Sequence, residues 1–389
     1  MWFGCENNTM RRHWVAWVAG LWIAVVAGVR MPAQEAYDWR LPSGFPAPSV
    51  PAGNPMSNAK VALGRHLFYD TRLSGNGTQS CGSCHEQARA FTDGRTRSVG
   101  STGQMHTRGS MSLVNVAYAA ALTWANPTLT QLEDQALVPM YGEHPIELGL
   151  SPSDGWLDAL RRDQEYRQLF DAAFGNQPDP FTRDHLVQAI ASFERTIVSA
   201  RSPYDRYHFN RDDSAISEAA KRGEVLFHSR PLSCFMCHGG IHFSSAMGTT
   251  RRSTAVELHN TGLYNLAGAL SYPALDGGLY EVTHDARDVG KFKAPTLRNI
   301  AVTAPYMHDG SVATLEDAID HYAAGGRTIP GGPDQGVGRD NPNKSPTIRG
   351  FMLTAAQRAD LVAFLQSLTD EELLRDPRFA NPWVSSRQR

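Results

Sequence analysis

The stretch Cys81-Gly82-Ser83-Cys84-His85 decides the fold class, together with its counterpart Cys234-Phe235-Met236-Cys237-His238. Two thiols separated by two residues and followed at once by histidine are the attachment signature of a c-type haem. The adjacent imidazole then serves as the proximal iron ligand. A zinc site would need further sulfur or nitrogen donors, and a redox dithiol has no need of the same histidine twice. We therefore predict two covalent haems, with His85 and His238 on the irons and attachment at Cys81, Cys84, Cys234 and Cys237.

The composition points away from nucleic acid as a partner. Among 389 residues, 37 Lys and Arg nearly balance 39 Asp and Glu, whereas nucleic-acid binders carry basic clusters. Four of the five cysteines belong to the two motifs, and the fifth, Cys5, lies in a segment expected to be removed. The mature chain should then have neither a free thiol nor a disulfide.

The N-terminus has the features of an export signal. We predict a signal peptide over residues 1–33, with Met10 as the better start, an apolar run over residues 14–29 and Ala33 near the cleavage point. An uncleaved anchor is the alternative, but the apolar run is short for a membrane span. Cleavage would leave a periplasmic protein with no membrane span.

Hydrophobic spacing predicts a mainly α fold, because strand-like alternation is nearly absent. The clearest helix combines Leu186, Ile190, Phe193 and Ile197 at helical spacing, and Thr354 with Gln357 forms a capping pair. The predicted helices span residues 57–68, 112–121, 130–137, 182–199, 214–227, 314–323 and 354–368.

An internal repeat relates the two halves of the chain. The segment before the first motif, residues 63–68, matches residues 222–227 before the second, and residues 112–117 match residues 296–301. We interpret this as a tandem duplication of one cytochrome c-like haem domain. The predicted domains are residues 34–205 and residues 206–389.

With these residues in view, the chain resembles the bacterial di-haem cytochrome c peroxidase and MauG family over nearly all of residues 55–370. The resemblance depends on both haem motifs, on the series Trp124, Gln135 and Glu147, and on residues 304–310, Ala-Pro-Tyr-Met-His-Asp-Gly. Residues 124–149 are most similar to the branch that contains MbnH. In that branch a di-haem enzyme oxidises a tryptophan of a partner protein to kynurenine.

The resemblance assigns peroxide chemistry to the first haem. Glu147 corresponds to the family's distal acid–base residue, with Gln135 and Pro139 as its neighbours; an ordinary surface glutamate is the alternative. The histidine that blocks this iron in some relatives is replaced by Ser101, so this haem should be five-coordinate. His106 is a weaker candidate for that blocking role.

The resemblance also gives roles to two aromatic residues. Trp124 corresponds to a tryptophan between the two haems and would relay electrons, which is compatible with simple core packing. Tyr322 corresponds to the second axial ligand of the second haem, a position that is Met in the peroxidases and Tyr in MauG-like enzymes. A core tyrosine is the alternative reading, and Met307 is the rival ligand.

Two departures from the family affect what can be carried over. The surface tryptophan that MauG uses to reach its substrate is replaced by Leu232. At the family's interdomain calcium site, Thr303 and Pro305 could offer backbone carbonyls, but Gly109 replaces an asparagine ligand. Calcium is therefore only a possible cofactor.

The sequence thus predicts a periplasmic di-haem oxidase that uses hydrogen peroxide to oxidise aromatic residues, Trp to kynurenine, of an MbnP-like partner protein through a high-valent di-haem state. One alternative is a di-haem cytochrome c peroxidase that takes electrons from a small donor protein. Another is a non-enzymatic electron carrier, which would need two six-coordinate haems. The axial ligand at the second haem distinguishes the oxidase from the donor-dependent peroxidase.

Overall fold

The computed structural model describes residues 37–153, 155–248, 256–268 and 270–386. Its α-helices are α1 Asn58–Phe68, α2 Cys81–Cys84, α3 Leu132–Tyr141, α4 Gly155–Arg162, α5 Gln164–Phe174, α6 Arg183–Arg195, α7 Pro203–Asn210, α8 Glu218–Phe227, α9 Tyr280–Thr283, α10 Leu315–Ala324, α11 Ala355–Ser367 and α12 Pro382–Ser386. Strands β1 Leu258–His259 and β2 Phe292–Lys293 pair antiparallel, as do β3 Thr328–Ile329 and β4 Gly336–Val337. The helix-rich class predicted from the sequence is confirmed.

Side-chain caps fix the starts of the two longest helices in the described part of the chain. The Thr354 hydroxyl accepts a hydrogen bond from the Gln357 N–H at 3.2 Å, and the Thr354 N–H donates to Gln357 Oε1 at 2.9 Å. Thr182 caps α6 by accepting from the His185 N–H at 3.1 Å. Each cap satisfies backbone donors that a first helical turn leaves without a partner. The predicted capping box of α11 is confirmed.

One predicted helix, over residues 112–121, was wrong. Only Val116–Tyr118 forms a short 3₁₀ turn there, after Asn115 in the left-handed region with φ 58°. The Asn115 amide donates to the Ser199 carbonyl at 3.2 Å and accepts from the Ser199 N–H at 2.7 Å. These bonds hold the Asn115 backbone outside the helical region, as asparagine side chains often do.

Two helix pairs cross at glycines. A Cβ on Gly64 of α1 would lie 1.9 Å from the Ala189 carbonyl oxygen of α6, and one on Gly223 of α8 would lie 2.0 Å from the Asp360 carbonyl oxygen of α11. No real side chain fits at such distances, so both crossings require glycine. The two glycines occupy matching positions in the sequence repeat.

From Tyr37 onward the chain forms one compact unit, in which two large hydrophobic clusters lie. The first joins α1, α5 and α6 and includes Leu373 and Phe379 from the C-terminal segment. The second joins α7, α8, α10 and α11 with Phe243 and Phe292. The division into domains at residue 205 stays a prediction.

A buried ion pair stands beside the second haem motif. The Arg298 guanidinium donates to both carboxylate oxygens of Asp205, at 2.8 and 2.9 Å, and its Nε donates to the Ile241 carbonyl at 2.8 Å. Asp205 also accepts from the N–H and hydroxyl of Ser202. The pair therefore connects α7 to the loop that follows His238.

Among the described residues, no helix is both long and apolar enough to cross a membrane. The predicted signal peptide, residues 1–33, lies outside the described part of the chain.

Candidate haem sites

The first haem motif forms a single helical turn that orients its histidine. The His85 N–H donates to the Cys81 carbonyl at 3.0 Å, and the Ser110 hydroxyl donates to the Cys84 carbonyl at 2.6 Å. His85 Nδ1 lies 2.8 Å from the Phe91 carbonyl oxygen. Because a carbonyl only accepts, Nδ1 carries the proton, and Nε2 keeps a lone pair for a metal. Burial lowers the pKa of His85, which favours the neutral ligand form.

The second motif repeats this arrangement on a 3₁₀ turn, Cys234–Met236. His238 Nδ1 lies 3.3 Å from the Phe243 carbonyl oxygen and 3.2 Å from that of Pro295. Burial lowers the pKa of His238 to about 4. Both histidines are therefore neutral imidazoles with Nε2 available as the iron-binding atom.

A cavity of about 570 Å³ opens beside the second motif. Its lining includes Cys234, Cys237 and His238 together with both candidate axial ligands, Tyr322 and Met307. The volume falls within the usual range for cofactor sites, and the lining combines two attachment thiols with a nitrogen ligand. These residues fit a covalently attached haem.

Trp124 lines this cavity and also a smaller one of about 70 Å³. Its indole N–H donates to the Gly109 carbonyl at 2.9 Å, and its own carbonyl accepts from the Lys293 N–H at 2.8 Å. Its ring meets the His308 ring edge-on, with centroids 6.5 Å apart. The structure therefore holds this indole in a fixed orientation at the wall of the second haem cavity.

The predicted distal residues lie on α3 and on the loop after it. Gln135 and Pro139 belong to α3, and the Leu148 N–H donates to the Pro139 carbonyl at 2.9 Å. The Ser101 N–H donates to the Glu147 carbonyl at 2.7 Å. The segment that replaces the family's blocking histidine thus contacts the segment of the predicted acid–base residue.

Glu147 has a neighbour to which sequence reasoning gave a different role. His106 Nε2 lies 3.4 Å from Glu147 Oε1, but this buried nitrogen makes no hydrogen bond to any described residue. The Glu147 carboxylate also acts electrostatically on Cys81, Cys84 and His85. Glu147 and His106 therefore form a polar pair close to the first haem motif.

Thr303 and Pro305, the possible calcium ligands, line the smaller cavity with Gly109 and Asp93. The Thr303 hydroxyl donates to the Ile300 carbonyl at 3.1 Å. Within the described ranges, no group of three or more His, Cys, Asp and Glu side chains could hold a metal ion. A cation here would depend mainly on backbone carbonyls.

Comparison with known proteins identifies the group to which the chain belongs. Residues 58–214 match the sequence model of the di-haem cytochrome c peroxidase family. The chain is 32% identical to the methylamine utilization protein MauG of Methylophilus methylotrophus, over 92% of this chain and 95% of that protein. The chain belongs to the di-haem cytochrome c peroxidase/MauG family. It is a di-haem peroxidase-type oxidoreductase, and membership implies two c-type haems.

Other members of the family differ in their named functions. Cytochrome-c peroxidase IdrP1 of Denitromonas iodatirespirans is 35% identical, over 91% of this chain and 94% of that protein. A solved structure of a MauG-like protein associated with microbial copper homeostasis shares 48% identity, with a TM-score of 0.86, covering 90% of this chain and all of that one. The family and the enzyme class predicted from the sequence are confirmed.

The fold likeness also extends to more distant relatives. The di-haem peroxidase BthA from Burkholderia thailandensis has a TM-score of 0.62 at 23% identity, over 84% of this chain and 90% of that one. At that identity the likeness concerns the fold alone. The roles of the individual site residues of the present chain stay predictions.

Proposed function

We propose that this di-haem peroxidase is a periplasmic oxidase that uses hydrogen peroxide to oxidise aromatic residues of a partner protein, with tryptophan to kynurenine as the specific reaction. The observation that carries the proposal is the position of Tyr322. This partly buried phenol lines the same cavity as His238 and the two attachment thiols.

The chemistry of the side chain that Tyr322 would offer to the iron favours an oxidase. When bound, the two haems would supply peroxide cleavage and storage of the oxidising equivalents. A phenolate stabilises more oxidised iron, whereas the Met307 thioether would raise the reduction potential. Burial raises the pKa of Tyr322, so the phenol keeps its proton until a cation stands beside it. Tyr322 would thus make the second site a store of oxidising equivalents instead of an entry point for electrons.

The proton chemistry belongs to Glu147 at the first site. Its carboxylate would take the proton from one peroxide oxygen and return it to the leaving oxygen. His106, whose Nε2 lies 3.4 Å from Glu147 Oε1, is a polar neighbour that would help to position that carboxylate. Gln135 and Pro139 would shape the space beside it.

Trp124 would connect the two sites. Its indole lines the second cavity, and its N–H is fixed on the Gly109 carbonyl. A large π-system held without rotational freedom is suited to exchanging electrons repeatedly.

The relatives support two kinds of partner. The MauG-like structure associated with copper homeostasis, at 48% identity, favours an MbnP-like metal-binding substrate protein. Leu232 contributes to the second haem cavity, where the docking tryptophan of MauG would stand, so MauG's own substrate is not expected. The similarity to cytochrome-c peroxidase IdrP1 favours the alternative, peroxide reduction with electrons from a small donor protein.

The test compares Tyr322→Met with Met307→Leu in the haem-loaded, ferric protein. After stoichiometric peroxide, the wild type and Met307→Leu should give a long-lived near-infrared charge-resonance band, and mass spectrometry should detect an oxidised tryptophan in the partner. Tyr322→Met should lose both. The opposite result has two parts: the wild type shows no such band, and it shows a ferric His–Met spectrum that Met307→Leu abolishes and Tyr322→Met does not. That result would replace this proposal with the donor-dependent peroxidase.

We also infer that the two haem segments, residues 34–205 and residues 206–389, arose by internal duplication. Three parallels support this: the glycine crossings at Gly64 and Gly223, the histidine-to-Phe-carbonyl bonds of both motifs, and left-handed Asn115 and Asn299 at matching positions. Superposition of the two segments should align the two motifs in one operation; helices that fail to overlap would contradict duplication.

A calcium ion on the Thr303 and Pro305 carbonyls is a further proposal for the small cavity. Calcium accepts backbone carbonyls as ligands, and both residues line this space. Elemental analysis after dialysis should find one calcium per chain, and chelation should change the haem spectra. A metal-free protein with unchanged spectra would exclude the ion.

A further inference from the structure

A continuous series of aromatic rings leads away from Trp124 inside the second hydrophobic cluster. The Trp124 and His308 ring centroids are 6.5 Å apart, those of His308 and Tyr272 are 6.2 Å apart, and those of Tyr272 and Tyr264 are 5.2 Å apart. The Phe292 ring stacks on His308 at 3.6 Å. All these residues except Trp124 are at most 7% exposed. The series therefore connects the haem cavity wall to Tyr264 through rings in contact.

The first two rings are held rigidly by polar contacts. His308 Nε2 lies 2.8 Å from Asp276 Oδ2, and Arg108 donates to the other oxygen of that carboxylate at 2.8 Å. The His308 carbonyl accepts from the Gly109 N–H at 2.8 Å, and the Gly109 carbonyl accepts from the Trp124 indole. The geometry between Trp124 and His308 is thus fixed from both the side chains and the backbone.

The far end of the series has a built-in proton acceptor. The Tyr264 hydroxyl donates to Asp309 Oδ2 at 2.5 Å, and the Ser311 N–H holds the other carboxylate oxygen at 3.0 Å. Burial raises the pKa of Tyr264 to about 12, so the resting phenol keeps its proton. Loss of an electron makes a phenol strongly acidic, and a carboxylate already in hydrogen-bond contact can accept the proton at once.

Tyr264 also lies just beneath the protein surface. The next residue, Asn265, is partly exposed and donates to the Val337 carbonyl. The Arg327 guanidinium covers the Tyr264 ring 4.7 Å from its centroid and is itself partly exposed. An electron from a bound protein would therefore cross only a thin layer to reach this ring.

We propose that Tyr264 is a redox-active residue through which oxidising equivalents leave the enzyme, with Tyr272 and His308 connecting it to Trp124 and Asp309 taking its proton. This inference rests on the proposed function, and it names the exit route that the replacement of the MauG tryptophan by Leu232 leaves open.

The redox step balances as follows. Tyr264 gives one electron to oxidised Trp124 and its proton to Asp309 Oδ2, leaving a neutral tyrosyl radical and a carboxylic acid. An aromatic side chain of the partner then gives one electron to the radical, and Asp309 returns the proton. Two such cycles draw two electrons from the partner, and with two protons that the partner releases these reduce one hydrogen peroxide to two water molecules. Conversion of one tryptophan to kynurenine takes four such cycles and two hydrogen peroxides, with oxygen supplied by water and the formyl carbon leaving as formate.

The alternative is that the rings only pack the core, as aromatic clusters commonly do. Packing alone predicts that Tyr264→Phe changes stability but leaves the oxidation chemistry unaltered. Two variants separate the readings: Tyr264→Phe removes the phenol, and Asp309→Asn keeps the phenol but removes the base. Tyr280→Phe is the matched control, because this partly buried ring contacts His284, outside the series.

The primary readout is electron paramagnetic resonance of haem-loaded protein, freeze-quenched after stoichiometric peroxide, with ring-deuterated tyrosine to identify the radical. The wild type and Tyr280→Phe should show a tyrosyl radical, and Tyr264→Phe and Asp309→Asn should lose it. A second readout, oxidation of N-acetyltryptophanamide followed by mass spectrometry, should be slowed in the same two variants. The near-infrared band should still form in all four proteins.

The outcomes separate this inference from the proposed function. A wild-type band with an undiminished radical signal in Tyr264→Phe overturns the exit route and leaves the oxidase proposal standing. Equal rates of N-acetyltryptophanamide oxidation by Tyr264→Phe and the wild type would likewise overturn the exit route and leave the oxidase proposal standing. Absence of both band and radical from the wild type overturns the oxidase proposal, and the exit route falls with it.

Discussion

Replacing Arg298 with methionine should destabilise this di-haem peroxidase strongly. The side chains of Arg298 and Asp205 are 0% and 3% exposed. Methionine keeps much of the apolar stem but removes both charge-assisted hydrogen bonds to the carboxylate. Asp205 would keep the two bonds from Ser202, which cannot neutralise its charge. A buried carboxylate would remain without a cation.

The structure sets the size of this effect. Breaking a buried ion pair by removing one partner costs about 3–5 kcal/mol, because the remaining charge stays away from water. Loss of the Arg298 side chain also removes the hydrogen bond to the Ile241 carbonyl, in the loop between His238 and Phe243. Since the Phe243 carbonyl orients His238, we expect the haem spectrum to change along with the stability.

The assay is urea unfolding of the haem-loaded protein, followed by far-ultraviolet circular dichroism and haem absorption. Arg358→Met is the control, because its bidentate pair with Asp320 has side chains 35% and 54% exposed and should contribute about 0–1 kcal/mol. A loss below about 1 kcal/mol for Arg298→Met would refute the reasoning. A double-variant test gives a second check. Because contacting residues should couple, the Asp205→Asn/Arg298→Met double variant should lose less stability than the sum of the two single variants, and a strictly additive loss would also refute the reasoning.

Three further predictions concern the helical scaffold. Gly223→Ala should lower the free energy of unfolding by about 1–3 kcal/mol or more through overpacking, because the new Cβ would lie 2.0 Å from the Asp360 carbonyl oxygen. The control Gly53→Ala has open space around the new Cβ and should change stability little. Thermal unfolding of both variants checks this. Tyr166→Phe should cost about 1–3 kcal/mol, because it removes the 2.6 Å hydrogen bond from a buried hydroxyl to Asp70, and a loss indistinguishable from zero in urea unfolding would contradict it. Burial raises the pKa of Glu194 from 4.5 to about 8, so the folded state keeps a proton that the unfolded state has released. Stability should therefore fall by up to about 1.4 kcal/mol per pH unit as pH rises between these values, and Glu194→Gln should remove that part of the slope.

The sequence was sufficient where local chemistry requires a particular residue type at a particular spacing. The two haem motifs, the family and the capping box at Thr354 and Gln357 all belong to this class. The left-handed Asn115 does not, because its hydrogen bonds to Ser199 depend on a contact between distant parts of the chain. The helix predicted over residues 112–121 was wrong for that reason.

The pairs that matter for proton movement needed the fold. Tyr264 and Asp309 are 45 residues apart in sequence, and neither carries a local signal that points to the other. The sequence makes His106 a weak candidate for an iron ligand and does not pair it with Glu147, because its position beside Glu147 depends on how two loops meet. Pairing of acids and bases across loops is decided by tertiary packing, which single-sequence patterns do not report.

The atoms that set the tautomers of both haem histidines have no sequence signal at all. His85 Nδ1 bonds to the carbonyl of Phe91, and His238 Nδ1 bonds to the carbonyls of Phe243 and Pro295. Every residue has such a carbonyl, so a change of side chain at these positions leaves the acceptor in place provided that the backbone holds. Phe91 has φ 61°, a region that few side chains adopt readily. The orientation of the proximal histidine thus depends on backbone conformation, and substitutions that relax this φ should perturb it more than those that alter the ring.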